Sequence, residues 1–325
     1  MPETRKVAVI GLGSMGLGIG LSLLRAALPV IGFDPDPAAS AKFVAAGGGV
    51  AGDAAEAARD ADAVVVAVVN AAQTETVLFG SGPAAGAVAT MRRGGVVLSS
   101  ATMAPQDARR LAARCGEAGM LYLDAPMSGG VVRAAGGELT IMASGTPESF
   151  ASAEPILEAI AKTVYRLGDE PGIGASFKMV NQLLAGVHIA AACEAITFAR
   201  RLGLDITKVF EVITASAGNS WMFENRIPHV LAGDYSPASA VDIFTKDLGI
   251  VADMGRTERF PTPLAANALQ MFLMTSAAGM GRDDDASIAR LIAQVTGLDL
   301  PGTGLGPDSA DGPPPGGGSQ GGAKP

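Results

Sequence analysis

Val7-Ala8-Val9-Ile10-Gly11-Leu12-Gly13-Ser14-Met15-Gly16 is the stretch on which the reading of this chain turns. Four apolar residues, as in a strand buried on both faces, run directly into a glycine-rich turn. A helical stretch, 16–27, follows. In such a turn Gly11 permits the sharp change of direction and Gly13 removes a Cβ from the path of a pyrophosphate. Gly16 lets helix and strand pack closely. The helix start then offers free N–H groups and the positive end of its dipole to phosphate. Leu12, Ser14 and Met15 complete the expected cradle.

A strand–GxGxxG–helix order is weak evidence by itself in a chain of 325 residues with 43 glycines. A third feature strengthens it. Asp34 ends the next apolar run, Val30-Ile31-Gly32-Phe33-Asp34, about 20 residues beyond the turn, where an acid is expected to take ribose hydroxyls. A carboxylate there repels a 2′-phosphate. Pro35, Asp36 and Pro37 supply no arginine to hold one, so NAD is the expected cofactor rather than NADP. An ordinary β–α turn with a solvated aspartate is the weaker reading of these three features together.

Outward from this unit, β-rich runs at 7–10, 30–34, 63–69, 95–99, 121–125, 139–144 and 164–167 are interleaved with helical stretches such as 105–118. That alternation predicts an α/β fold with a Rossmann-type, doubly wound, mainly parallel sheet. From residue 174 to 202 only Gly186 interrupts a helical pattern, which at 1.5 Å per residue spans ~43 Å. Further helical stretches follow at 205–215, 241–257, 262–278 and 284–296. The expected organisation is a cofactor-binding domain over 1–170, an all-helical domain over 171–300 joined through the long helix, and a tail over 301–325. The tail holds nine glycines and six prolines and has almost nothing to bury.

Composition narrows the function classes. Hydrophobic residues make up 48% and charged residues 17%, enough for a sizeable core. The net charge of −8, with no Lys/Arg cluster, argues against a nucleic-acid partner. Cys115 and Cys193 form neither a metal-ligand spacing nor a disulfide framework, which points to a reducing compartment. No run is read as reaching the ~20 apolar residues of a membrane span, and the first strand starts too early for a signal peptide. A cytoplasmic protein is expected.

Two later segments carry candidate chemistry. Asp124-Ala125-Pro126-Met127-Ser128-Gly129-Gly130 follows a strand-like run, and its small residues leave backbone N–H groups open to an anion such as a carboxylate. A Ser-Gly-Gly turn with no ligand fits equally well. Gly172-Ile173-Gly174-Ala175-Ser176-Phe177-Lys178-Met179-Val180-Asn181-Gln182 opens the long helix. Lys178, Asn181 and Gln182 share one face of it. Lys178 is either a side chain reaching solvent near the helix start or a base in a cleft, and spacing alone does not choose. As a base in alcohol oxidation it would need a pKa well below the ordinary ~10.4, which burial near other positive groups can supply.

The remaining polar residues read blandly. His188 and His229 are the only histidines, and no metal site is expected; His188 is expected to make a local hydrogen bond. Asp283-Asp284-Asp285 reads as a solvated helix-start cluster. Ser14 has no partner that would make it a nucleophile.

Taken in order, Gly11–Gly16, Asp124–Gly130, Gly172–Asn181 and Lys246-Asp247-Leu248 resemble the 3-hydroxyisobutyrate dehydrogenase family of β-hydroxyacid dehydrogenases over roughly residues 5 to 300. The resemblance implies an NAD-dependent hydroxyacid dehydrogenase assembled as a dimer or tetramer. It implies Lys178 as acid/base with Asn181 beside it, and Ser128, Gly129 and Gly130 on the substrate carboxylate. Asn70, Thr102 and Lys246 would contact the cofactor, and Asp247 would line the substrate region. Asn219 and Ser220 are the candidates for further substrate hydroxyls. Two positions depart from the usual family pattern: Met127 stands where many relatives have valine, and Gln182 where many have asparagine. A dinucleotide-binding protein without catalysis is the alternative of another class, and the presence of both Lys178 and Asn181 argues against it.

Overall fold

The parallel strands β1 (Val7–Ile10), β2 (Val30–Phe33), β3 (Gly49–Val50), β4 (Ala63–Val66), β5 (Val96–Ser99) and β6 (Leu121–Asp124) form one sheet in the order β3-β2-β1-β4-β5-β6. The computed structural model describes residues 5–303; from residue 304 onward the expected tail lies outside them. Every residue of β1, β4 and β5 is buried, which explains their unbroken apolar runs. Alternate residues serve two cores. Val7, Val9 and Val65 pack on one face, and Ala8, Ile10, Val64 and Val66 on the other. The helices of this half are α1 (Ser14–Arg25), α2 (Pro37–Ala45), α3 (Ala54–Ala57), α4 (Ala71–Phe79) and α5 (Pro105–Glu117).

Beyond β6 the chain departs from a single sheet. β7 (Met127–Ser128), α6 (Gly130–Gly136), β8 (Leu139–Ala143), α7 (Pro147–Ile160) and β9 (Ala161–Arg166) build a second, three-stranded sheet in the order β7-β8-β9. There β7 and β8 are antiparallel, while β8 and β9 are parallel. Apolar alternation identifies 139–144 and 164–167 as strands but not their neighbours. The antiparallel bridge between Asp124 and Ser144 ties the second sheet to the end of β6.

The helical half comprises α8 (Ile173–Arg201), α9 (Ile206–Thr214), α10 (Trp221–Ala232), α11 (Val241–Thr257), α12 (Pro263–Thr275) and α13 (Ile288–Thr296). Its core gathers Ile189, Cys193, Ile196, Phe223, Phe244, Leu248 and Phe272 around α8. Gly186 lets α11 approach, since a Cβ there would stand 2.9 Å from the Leu248 side chain. Against the expectation from sequence, α8 is long and apolar enough to cross a membrane, alone among the described helices. It is instead the core helix of this half, packed against α10, α11, α12 and α13 with more than half of its apolar window buried.

Candidate active site

The strand order places β1 where the chain reverses direction across the sheet, between β2 and β4, and a ligand crevice is expected there at the carboxyl ends of the strands. The glycine loop leaves β1 at that point. Gly11 has φ +91°, and a Cβ on it would stand 2.7 Å from the Ala67 carbonyl oxygen beyond β4. A Cβ on Gly16 would collide with the Gly11 carbonyl oxygen at 1.8 Å. Gly13 differs: its backbone is extended, and nothing lies within 4 Å of its Cβ position. No protein atom requires glycine there, so the open space fits a pyrophosphate lying against the backbone.

The start of α1 agrees. Helices α2, α3 and α4 begin on the capping side chains Asp36, Asp53 and Asn70, but α1 has no side-chain cap. Its first N–H groups are left for an anion. Because β1 and β2 pair in register, Asp34 stands beside this loop, and its carboxylate accepts hydrogen bonds from the backbone N–H of Leu12 (2.7 Å) and Asp36 (2.8 Å). These residues fit a bound NAD.

Lys178 lies one turn into α8 and is buried, with its Nζ donating to the Met127 carbonyl oxygen at 2.7 Å. That bond joins residues 51 apart and brings the lysine to the Met127-Ser128-Gly129-Gly130 segment. Burial, helped by the nearby Lys246 ammonium and opposed by the Asp247 carboxylate, pushes the Lys178 pKa down to about 8. Asn181 donates from its Nδ2 to Gln182 Oε1 at 2.9 Å, and Gln182 Nε2 donates to Asp247 Oδ2. Asp247 pairs through Oδ1 with Lys246 Nζ, which also donates to the Thr102 carbonyl oxygen at 3.2 Å. One polar chain therefore runs from Asn181 to Thr102 across the joint between the two halves. Two ammonium groups and one carboxylate make the joint cationic when Lys178 is protonated, which suits an anionic substrate.

Two family models divide the chain at this joint. Residues 6–168 match the NAD binding domain of 6-phosphogluconate dehydrogenase, and residues 172–292 match the NAD-binding model of NADP-dependent 3-hydroxyisobutyrate dehydrogenase. The chain is 52% identical to the L-threonate dehydrogenase of Cupriavidus necator over 92% of its own length and 99% of that protein. It is 48% identical to the L-threonate dehydrogenase of Escherichia coli, covering 91% and 96%. The crystal structure of a 3-hydroxyisobutyrate dehydrogenase from Salmonella typhimurium matches with a TM-score of 0.84 and 49% identity, over 88% of this chain and 99% of that one. The chain belongs to the 3-hydroxyisobutyrate dehydrogenase family. It is an NAD-dependent hydroxyacid oxidoreductase.

Other residues of this family member take less direct positions. Ser128 ends β7, and Gly129 and Gly130, at φ +140° and +76°, start α6. Asn70 accepts from the Gln73 N–H and so caps α4 at the end of the β4 crossover. Ser220 caps α10 by accepting from the Phe223 N–H, and Asn219 Nδ2 donates to Glu224 and to the Thr214 carbonyl oxygen. No hydrogen bond joins Asn219 or Ser220 to the Lys178 group among the described residues. Among the described residues the buried Oδ1 of Asn219 has no partner.

The expected solvated acidic cluster is corrected. Asp284 and Asp285 are fully buried. Arg226 grips Asp285 with two nitrogens, while Asp284 accepts from the Ala238 and Ala286 N–H groups and pairs with His229. Only Asp283, paired with Arg290, keeps partial exposure. Their partners are more than 50 positions away in sequence for Arg226 and His229, so no local pattern announces them. His188 makes no side-chain hydrogen bond among the described residues, contrary to expectation. Two positions that carried no role in the sequence reading, Asp124 and Ser144, bind the start of α8.

Proposed function

We propose that the chain oxidises L-threonate at C2 to 2-dehydro-L-erythronate, with Lys178 as acid/base. Bound NAD supplies the hydride acceptor. Lys178, whose pKa of about 8 leaves part of it neutral near pH 8, takes the hydroxyl proton. Asn181, fixed by Gln182, holds that hydroxyl, and Ser128, Gly129 and Gly130 hold the carboxylate so that C2 faces the cofactor. Lys246 reaches the cofactor side through Thr102, Asp247 lines the substrate region, and Asn219 and Ser220 take the outer hydroxyls. The observation that carries this reading is the Lys178–Met127 hydrogen bond, which sets a buried amine against the carboxylate segment.

The choice of acid is supported by the two L-threonate dehydrogenases matched over nearly their whole length. The second reading is 3-hydroxyisobutyrate or 2-hydroxy-3-oxopropionate as substrate, and the description of the Salmonella structure supports the first of these two. A panel of hydroxy acids with NAD, followed by NADH absorbance, decides. L-threonate is expected to give the highest kcat/KM. A higher value for 3-hydroxyisobutyrate refutes the first choice, and tight NAD binding without any turnover refutes both.

This reading assigns 1–170 to the cofactor and 171–300 to substrate and assembly, in a cytoplasmic homodimer or homotetramer. The assembly is supported by Phe177, Val180, Leu184 and Phe198, large apolar side chains left exposed along α8.

A further inference from the structure

The start of α8 lacks a capping side chain of its own. Its N-cap is Gly172, held at φ +94°. Two side chains from distant strands take the free N–H groups instead. Asp124, the last residue of β6 and almost fully buried, accepts through Oδ2 from the Gly172 N–H at 2.9 Å and from the Ala175 N–H at 2.8 Å. Ser144, just beyond β8, accepts from the Gly174 N–H at 2.9 Å and turns its own hydroxyl toward Asp124 Oδ2 at 3.4 Å. The two residues are tied by a reciprocal pair of backbone hydrogen bonds of 3.0 and 2.8 Å.

The helix start is also pressed onto these strands. A Cβ on Gly174 would stand 2.2 Å from the Met142 carbonyl oxygen, so only glycine admits this approach. One turn further along α8, Lys178 reaches back to the Met127 carbonyl oxygen. Met127 itself lies three residues beyond Asp124. The chain therefore closes a clamp: Asp124 to the helix start, the helix to Lys178, and Lys178 to the segment that continues from Asp124. A carboxylate suits the corner of this clamp. Charge-assisted bonds to backbone N–H are about twice as strong as neutral ones, and the helix dipole favours a negative charge at this end.

We propose that Asp124, assisted by Ser144, is a positioning residue for the reaction. It sets the register of α8 against the Met127–Gly130 segment and so holds the Lys178 amine at the hydroxyl of the substrate carbon that loses hydride. It touches neither substrate nor cofactor. The inference rests on Lys178 as acid/base.

The test compares D124A, D124N, S144A and K178A in the full chain, with NAD and L-threonate or the acid that the panel identifies. D124A is expected to lower kcat about 100-fold, the size associated with a misplacement of about 1 Å. Its acid limb in kcat/KM is expected to move up from about 8 toward the ordinary 10.5, because Lys178 loses its buried seat. The KM for NAD is expected to stay within about twofold, since the glycine loop is untouched. In D124N the amide oxygen can still accept from both N–H groups, so most of kcat is expected to return. S144A is expected to shift kcat and the limb in the same direction by less.

A folded D124A with unchanged kcat and an unmoved limb, beside an inactive K178A, overturns the inference alone. Equal losses of kcat and of NAD affinity in D124A and D124N, tracking lost thermal stability, also overturn it. If D124A does not fold, S144A decides, and an unmoved limb there overturns the proposal. Normal turnover by K178A overturns the acid/base reading and this inference with it.

Discussion

Replacing Lys178 by methionine is expected to abolish turnover and to stabilise the protein. The methionine keeps a similar length and apolar stem, so packing in the α8 seat changes little. In the folded chain the lysine pKa falls from 10.5 to about 8, mainly through burial. Below pH 8 the folded protein therefore holds a charge it disfavours, at a cost of about 3 kcal/mol. Removing the amine also leaves the Met127 carbonyl oxygen without its donor, a loss of about 1 kcal/mol.

The net expectation for K178M is a gain of about 2 kcal/mol at pH 7, or about 3 °C in thermal midpoint for a chain of this size. The pH dependence has a definite sign. A lysine with a depressed folded pKa destabilises fully below that value and not at all above its unfolded value. The advantage of K178M should thus be complete below about pH 8, reach zero near about pH 10 and turn into a deficit of about 1 kcal/mol above 10.5, where only the unpaired Met127 carbonyl remains. Thermal melts of the cofactor-free protein across this range measure it, and NADH formation measures turnover, expected to fall at least about 100-fold. A K178M protein less stable than wild type at pH 7, or an advantage independent of pH, refutes the account of the buried amine. Turnover within tenfold of wild type (about 1.4 kcal/mol of barrier) refutes its role as base.

Two further outcomes follow from the geometry. Asp34→Ala removes the carboxylate beside the glycine loop and is expected to raise the KM for NAD about 30-fold, from the loss of about 2 kcal/mol of charge-assisted hydrogen bonding, with little change for NADP; equal effects on both cofactors would contradict the assignment to the ribose. Arg226→Met leaves Asp285 buried without its partner and is expected to destabilise folding by about 3 kcal/mol in urea titration. A change below about 1 kcal/mol would show that Asp285 is neutral in the fold.

Much of this protein is legible in contiguous residues. The β1–loop–α1 unit and Asp34 are local in chain and in space, because paired neighbouring strands bring the end of one beside the end of the other. The alternating apolar runs likewise announce a buried parallel sheet, and the long unbroken pattern announces α8 within a residue at each end. The second sheet is not legible as such, since apolar periodicity identifies a strand but not the strand it pairs with.

What the sequence by itself determined was most of the backbone: the longer parallel strands, the long helix and the glycine turn between β1 and α1, but not α10 or the two-residue strands β3 and β7. What only the tertiary structure decided was the chemistry of individual side chains. Lys178 has its pKa lowered to about 8 by burial, and Lys246 meets Thr102 from 144 residues away. Asp124 becomes the cap of a helix that begins 48 residues later, and Asp285 becomes half of a buried ion pair. Backbone conformation is set by neighbours along the chain. Desolvation and charge pairing are set by neighbours in space, and those exist only once the chain has folded.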